Sequence, residues 1–362
     1  MFLGFGEVML RINPPGRSRF RQSMPGGMQV SFGGGEFNVC ASLAGFGRKA
    51  RFVTALPVSP LTDCLRANLR QLGVDGEHVA WTGEGRLGLY FFEAGANQRS
   101  SVVVYDREGS AIALTPPEAY AFERALDGVE WVHVTGITPA LSRNAFLATR
   151  ELVRLAAARG ITVSCDLNFR KKLWRWEAGT SSNALAQRCL TEILPFARIV
   201  VANEEDAQDV LGIAAEGTAV EEGQVDPAAY ERVAREIVRR FPGVRTVAVT
   251  LRQSFSADDN AWGGLLFDAA VGRTLLAPVA PDGAYRPYRI RDIVDRVGGG
   301  DAFAAGLIHA LTSDKLRAPE TALRFAVAAG CLKHSVPGDV NLASEDEVSA
   351  LMSGAVSGRV RR

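Results

Sequence analysis

The chain has 362 residues, 47% of them apolar and 22% charged. That is the composition of a globular protein with room for one large α/β domain or two medium ones, and not of a disordered or fibrous chain. Lysine and arginine total 41 against 40 acids; this balance removes the electrostatic basis for nucleic-acid binding, and no apolar run nears the roughly 20 residues that span a bilayer.

The opening segment, MFLGFGEVMLRINPPG, places a short buried strand near residue 5. It has no basic leader, and Glu7 and Arg11 bracket its apolar run, so a signal peptide is not expected. Gly4-Phe5-Gly6 begins a dinucleotide-binding fingerprint, but Met9 stands where the third glycine belongs, and no Walker A loop is present anywhere. Further strand-like runs follow: ARFVTAL near 53, WVHVTG from 131, ITVSCD from 161, RIVVAN from 198 and RTVAVT from 245. Between them, residues 143–159 and 228–241 space apolar side chains three and four apart, the first closed by Gly160. Apolar strands alternating with amphipathic helices predict a mostly parallel sheet covered on both faces. Residues 10–32 and 86–110 break the rhythm with alternating runs, and they predict a small antiparallel sheet that serves as a lid, a dimer contact or both. The acidic stretch 213–227 reads as a surface loop.

Cys40, Cys64, Cys165, Cys189 and Cys331 are scattered, odd in number and without a C-x-x-C pair. They read as reduced thiols, which suits a cytoplasmic protein. His78, His133, His309 and His334 lack metal-ligand spacing.

Polar residues gather where the strands end. The run from 161 ends in Asp166-Leu167-Asn168-Phe169-Arg170, that from 198 in Asn203-Glu204-Glu205-Asp206, and that from 245 in Thr250-Leu251-Arg252. Open parallel sheets bind ligands beyond the carboxyl ends of their strands. Taken singly, Asp166 or Asn203 reads as a helix cap; three such ends together favour a site. The strongest local pattern is Gly298-Gly299-Gly300-Asp301 ahead of a small-residue helix. Backbone N–H groups of such a turn, at a helix N-terminus, suit an anion. Asp301 beside them is either a proton acceptor or an N-cap, and the residues alone leave both readings open.

Residues 295–308 closely resemble the C-terminal signature of the ribokinase-like (pfkB) carbohydrate kinases, with Asp295 and Asp301 six apart and small residues between; Arg296 departs from the usual small, Thr or Pro residue. Gly33-Gly34-Gly35-Glu36-Phe37-Asn38 echoes the N-terminal signature more loosely. GLYFFE, VVYDR, VTGITPALS, DLNFRKKLW and VDRVGGGDAFAAGL are most similar to the 2-dehydro-3-deoxygluconate kinases of that family. The resemblance spans about residues 3–340. It implies a three-layer α/β/α sandwich with a β lid over residues 1–345, followed by a C-terminal helix and tail over 346–362. It implies ATP and Mg2+ as cofactors and allows a monovalent cation. Gly34, Asn38, Tyr90, Tyr105, Arg107 and Arg170 would contact the sugar acid, and Asp258 would reach it by analogy. Gly298, Gly299 and Gly300 would form the anion hole, with Asp301 as the base that activates the sugar hydroxyl. Asn203, Thr250 and Arg252 would serve the nucleotide, Arg252 in place of glycines that most members have there. Asn203 and Glu205 would hold magnesium through water, since Asp206 stands where the family's N-x-x-E element has Glu. A homo-oligomer through the lid sheet is the expected assembly.

The chemistry suits the implied substrate. A sugar acid carries a carboxylate, which guanidinium groups bind in a fork, and Tyr faces suit a small polyol. Arg107 has an alternative role as a surface ion pair with Asp106 or Glu108, and Arg170 as part of a solvated basic patch with Lys171 and Lys172. Rival readings are a kinase of the same fold acting on galactonate-derived acids, fructose or ribose, a non-catalytic sugar-acid sensor, and a dehydrogenase.

Overall fold

The computed structural model describes residues 1–203, 206–213 and 227–354. Its main sheet has ten strands. Nine lie in the order Arg273–Ala277, Asp259–Asp268, Thr246–Ser256, Ile199–Ala202, Thr162–Asp166, Trp131–Thr135, Phe2–Phe5, Ala50–Val53 and Val74–Asp75, and Tyr288–Arg291 pairs beside Asp259–Asp268. From Thr246 to Val74 every pairing is parallel; the remaining strands are antiparallel. The parallel strands are buried on both faces because their residues feed two cores in alternation. Leu3, Phe5, Val132, Val134, Val163, Val200 and Val247 face one core with the helices Arg143–Ala158, Ser182–Ile193 and Pro227–Arg240. Phe2, Trp131, Ile199, Val201 and Ala248 face the other, with Gly35–Gly45, Gly299–Leu311 and Pro319–Lys333. This period-two division between two helical layers is the α/β/α sandwich expected from the continuous apolar runs.

The chain leaves Phe2–Phe5 to build one flank of the sheet and returns to its other side at Trp131–Thr135. That reversal opens a crevice at the strands' carboxyl ends, where ligands of such sheets bind. The small sheet stands over it: Gln29–Gly33, Met9–Asn13, Gly88–Glu93 and Val102–Asp106, in that order. Its two outer pairings are antiparallel, as expected, and its central pair is parallel. On its far edge Val102, Val103, Val104 and Tyr105 are all exposed.

Two sequence expectations need adjustment. The strand from 245 does not stop at 249. It runs from Thr246 to Ser256 and turns through Ala257-Asp258 into Asp259–Asp268, with a bulge between Ser254 and Ser256. The polar stretch TLRQSFSADDNAW is therefore a hairpin arm, and its tip meets the lid, where the Ala257 N–H donates to the Asn97 carbonyl at 2.7 Å. The surface loop expected at 213–227 lies almost wholly outside the described residues, as do 355–362 of the expected tail; a helix over Glu345–Met352 precedes them. Among the described residues no helix is long and apolar enough to cross a membrane.

Candidate active site

The helix Gly299–Leu311 begins at the crevice, and its N-cap is Gly298, not Asp301. Gly298 has φ 83°, a left-handed conformation that favours glycine, and a Cβ there would sit 1.9 Å from the Asp339 carbonyl oxygen. The first-turn amides that follow have no partner within the helix, and their partial positive charge faces the cavity. Asp301 is the third residue of that helix, so the capping alternative gives way to a side chain free to do something else.

Asn38 holds that side chain. It is buried in the helix Gly35–Gly45; its Nδ2 donates to Asp301 Oδ2 at 2.7 Å, while its Oδ1 accepts the Gly34 N–H at 3.3 Å. Gly34 must lack a side chain because a Cβ would lie 2.1 Å from the Glu7 carbonyl. Burial pushes the Asp301 carboxyl up to about 6; the Asn38 bond opposes that, Asp339 adds to it, and Arg170 and Lys333 oppose it. At neutral pH Asp301 is thus mostly ionised yet markedly more basic than an ordinary aspartate, which suits proton acceptance.

A cavity of about 480 Å3 joins the lid, the strand ends and the glycine turn. Gly34, Asn38, Tyr90, Tyr105, Arg107 and Arg170 all line it, together with Asp301. Asn203, Thr250 and Arg252 line it too, as do Gly298, Gly299 and Gly300. Asp258 does not line it. It sits at the hairpin tip, where it accepts Arg17 Nη1 at 2.9 Å and Ser256 Oγ at 2.7 Å. The strand extension past Thr250 carried Asp258 out to the lid, which the sequence register could not reveal. Glu205 lies outside the described residues.

Several side chains are committed in ways the sequence did not disclose. Tyr90 Oη is 2.6 Å from each carboxylate oxygen of buried Asp339, so Tyr90 offers the cavity its ring and not a free hydroxyl. Tyr105 stands 6.0 Å away, ring to ring, and is 42% exposed. Arg107 is buried and pairs with Glu7, not with Asp106, whose partner is Arg86, nor with Glu108. Its Nε is buried without a hydrogen-bond partner. Arg170 is exposed to the cavity; it donates to the Phe169 carbonyl at 2.9 Å and forms no ion pair among the described residues.

Asp339, Arg11, Glu7 and Lys333 are the functional-site residues that sequence reasoning missed. Arg11, on a lid strand, is buried between Asp295 (2.6 Å) and Asp339 (2.7 Å), which ties the lid to both sides of the glycine turn. Lys333 is fully buried beside them and donates to the Val336 carbonyl at 3.0 Å. A Pro-Gly-Asp turn at 337–339 was the one local cue, and nothing in it pointed 328 residues back to Arg11.

Asn203 and Asp206 cap each other: the Asp206 N–H donates to Asn203 Oδ1 at 2.9 Å, and the Asn203 N–H to Asp206 Oδ2 at 3.1 Å. Both also line the cavity, as does buried Asp166. Burial, then repulsion by Asp206 and Asp301, holds the Asp166 carboxyl well above the ordinary aspartate range. Among the described residues no cluster has the three or more ligands of a self-sufficient metal site. Two mutually repelling carboxylates on a cavity wall do fit a hydrated magnesium ion that takes its other ligands from phosphates.

A family model for pfkB carbohydrate kinases matches residues 5–251 and 279–346. The chain belongs to the pfkB carbohydrate kinase family. It is accordingly a sugar kinase, and the unmatched residues between the two blocks hold most of the hairpin arm. A 2-dehydro-3-deoxygluconokinase structure from Thermotoga maritima superimposes with a TM-score of 0.86 at 39% identity, over 98% of this chain and 99% of that one. A pfkB family carbohydrate kinase from Listeria grayi gives 0.83 at 29% identity, over 97% and 99%. In sequence, the 2-dehydro-3-deoxygalactonokinase of Haloferax volcanii is 30% identical over 98% of this chain and 97% of its own length.

Proposed function

We propose that this kinase transfers the γ-phosphoryl group of ATP to the terminal hydroxyl of 2-dehydro-3-deoxy-D-gluconate, giving the 6-phosphate. The observation that carries the substrate class is Arg170, a guanidinium with no ion pair among the described residues, which lines the same cavity as Asp301. A carboxylate bound there gains charge-assisted hydrogen bonds that a neutral sugar lacks. Arg107 supports the same reading through its unpartnered, buried Nε. The names of the similar kinases from Thermotoga and Haloferax point to the same class of acid, and they differ in the gluconate or galactonate parent.

In the proposed reaction the sugar lies between the lid and Asn38, with its terminal hydroxyl against Asp301. Asp301 takes the hydroxyl proton as that oxygen bonds to the γ-phosphorus and the bond to the leaving ADP oxygen breaks. Amides of Gly299 and Gly300 take up charge on the transferring group. Asn38 keeps the Asp301 carboxylate aimed, and the lid keeps water out. Asp166, Asp206 and Asn203 would hold hydrated Mg2+, which supplies charge neutralisation to the nucleotide phosphates.

A coupled ATP-turnover assay on a panel of both keto-deoxy epimers, fructose and ribose tests this. Turnover with the gluconate-derived acid at least tenfold above the neutral sugars is the expected result. Preference for the galactonate epimer would reassign the substrate within its class. Preference for a neutral sugar, or no sugar-dependent turnover, would overturn the proposal.

A further inference from the structure

Arg296 is the residue by which the glycine-turn signature departs from the wider family, and the sugar-side chemistry leaves it unused. It is half-buried on the cavity wall two residues before Gly298. Its Nη2 donates to the Ser256 carbonyl at 3.3 Å and to Asn260 Oδ1 at 3.1 Å, which fixes the guanidinium beneath the hairpin arm. Its Nε is buried with no hydrogen-bond partner, and it forms no ion pair among the described residues.

The acids that could neutralise it are spent elsewhere. Asp258, the acid that acts on it, is held by Arg17 at 2.9 Å. Asp259 is held by Arg289 at 2.6 Å, and Asp295 by Arg11 at 2.6 Å. Its charged neighbour in the cavity wall is instead Arg252, whose repulsion, after burial, lowers the Arg296 pKa. The neighbouring His334 is buried and held neutral, its pKa down to about 4, chiefly by burial and in part by Lys333, Arg296 and Arg252. Arg296 therefore keeps a charge without a counter-ion among the described residues, on a cavity wall beside a helix N-terminus, and an anion bound there gains charge-assisted hydrogen bonds.

We infer that Arg296 and the first-turn amides after Gly298 form a cradle for the terminal phosphates of the nucleotide, with Arg296 as a binding and catalytic group contributed in cis beside the glycine turn. The anion is phosphate and not the sugar carboxylate, because Arg296 stands two residues before Gly298, at the helix N-terminus that takes up charge on the transferring group. Ser256 and Asn260, which hold the Arg296 guanidinium, lie between the two blocks of the family match. This inference rests on the nucleotide-dependent reaction set out above.

The test is Arg296→Met and Arg296→Lys in the full chain, with steady-state kinetics in both substrates and calorimetric binding of inorganic tripolyphosphate. Arg296→Met should weaken tripolyphosphate binding and lower kcat/KM for ATP by about 10- to 100-fold, the range for lost charge-assisted hydrogen bonds. The KM for the sugar acid should change less than about threefold, on the same scale of lost contacts. Arg296→Lys should recover part of the phosphate affinity. A rise in sugar-acid KM with unchanged tripolyphosphate binding overturns the inference, as does loss of thermal stability in both variants with phosphate affinity intact in the folded fraction. Tripolyphosphate reads the cradle without turnover. A wild-type protein that binds it through Arg296 yet phosphorylates no sugar acid would therefore sink the substrate proposal and leave the cradle standing.

Discussion

Replacing Asp301 with Asn should cut turnover by orders of magnitude and stabilise the fold. The carboxyl is pushed from 3.8 up to about 6, chiefly by burial. A carboxyl whose folded pKa is raised contributes stability that is fully present below its unfolded pKa and lost as pH rises through the folded one. At pH 7.5 the wild-type protein has therefore lost that contribution, whereas the uncharged amide has not. The difference of about two units, at 1.36 kcal/mol each, sets a ceiling near 3 kcal/mol, and disturbance of the Asn38 bond takes back about 1 kcal/mol. The variant should therefore melt about 1–3 °C above wild type at pH 7.5, with the gap closing as pH falls below about 6. Turnover should fall by about 10²–10⁴, the worth of a general base. The wild-type kcat/KM should itself drop about tenfold per pH unit below about 6, as the base of the free enzyme is protonated. Calorimetry at two pH values with a coupled assay reads all of this. A variant that is less stable than wild type at pH 7.5, and retains turnover within tenfold, would make Asp301 a structural carboxylate and refute the reasoning.

Arg170→Met should raise the sugar-acid KM by about 10- to 100-fold and leave the KM for fructose or ribose unchanged, which a two-substrate comparison checks. Arg11→Met leaves Asp295 and Asp339 buried without their shared cation, so urea denaturation should register a loss of about 3–5 kcal/mol. Asp258→Ala removes an ion pair whose arginine partner is 43% exposed; it should cost no more than about 1 kcal/mol and leave the sugar-acid KM within about threefold.

The layered architecture was legible because its cause is local. A strand covered on both faces must be apolar at nearly every position, and an amphipathic helix must repeat every three to four residues, so each announces itself within ten to fifteen residues. The glycine turn was legible for the same reason: a left-handed Gly298 and an exposed first helical turn need glycines, whatever surrounds them. Its N-cap was misplaced in one of the two readings, because which glycine turns the chain depends on the Asp339 carbonyl packed against it. Partnerships of the charged residues were not legible. Arg107 has an acid on either side in sequence, yet it pairs with Glu7. Tyr90 presents its ring because its hydroxyl is taken by Asp339, 249 residues away. Asp258 left the cavity because a strand continued through residues that read as a polar loop.

By itself, then, the order of residues determined the α/β alternation, the glycine-rich anion turn and Asp301 as its acidic neighbour, since these follow from propensity and periodicity over short stretches. Only the tertiary structure decided which charges cancel and which stay available. That is a matter of three-dimensional neighbours, and a buried ion pair forms wherever folding brings two ends within hydrogen-bond reach, at any separation along the chain. The committed arginines, Arg11 and Arg107, and the uncommitted ones, Arg170 and Arg296, look alike as letters; their different surroundings separate lid anchors from groups left to meet an anion.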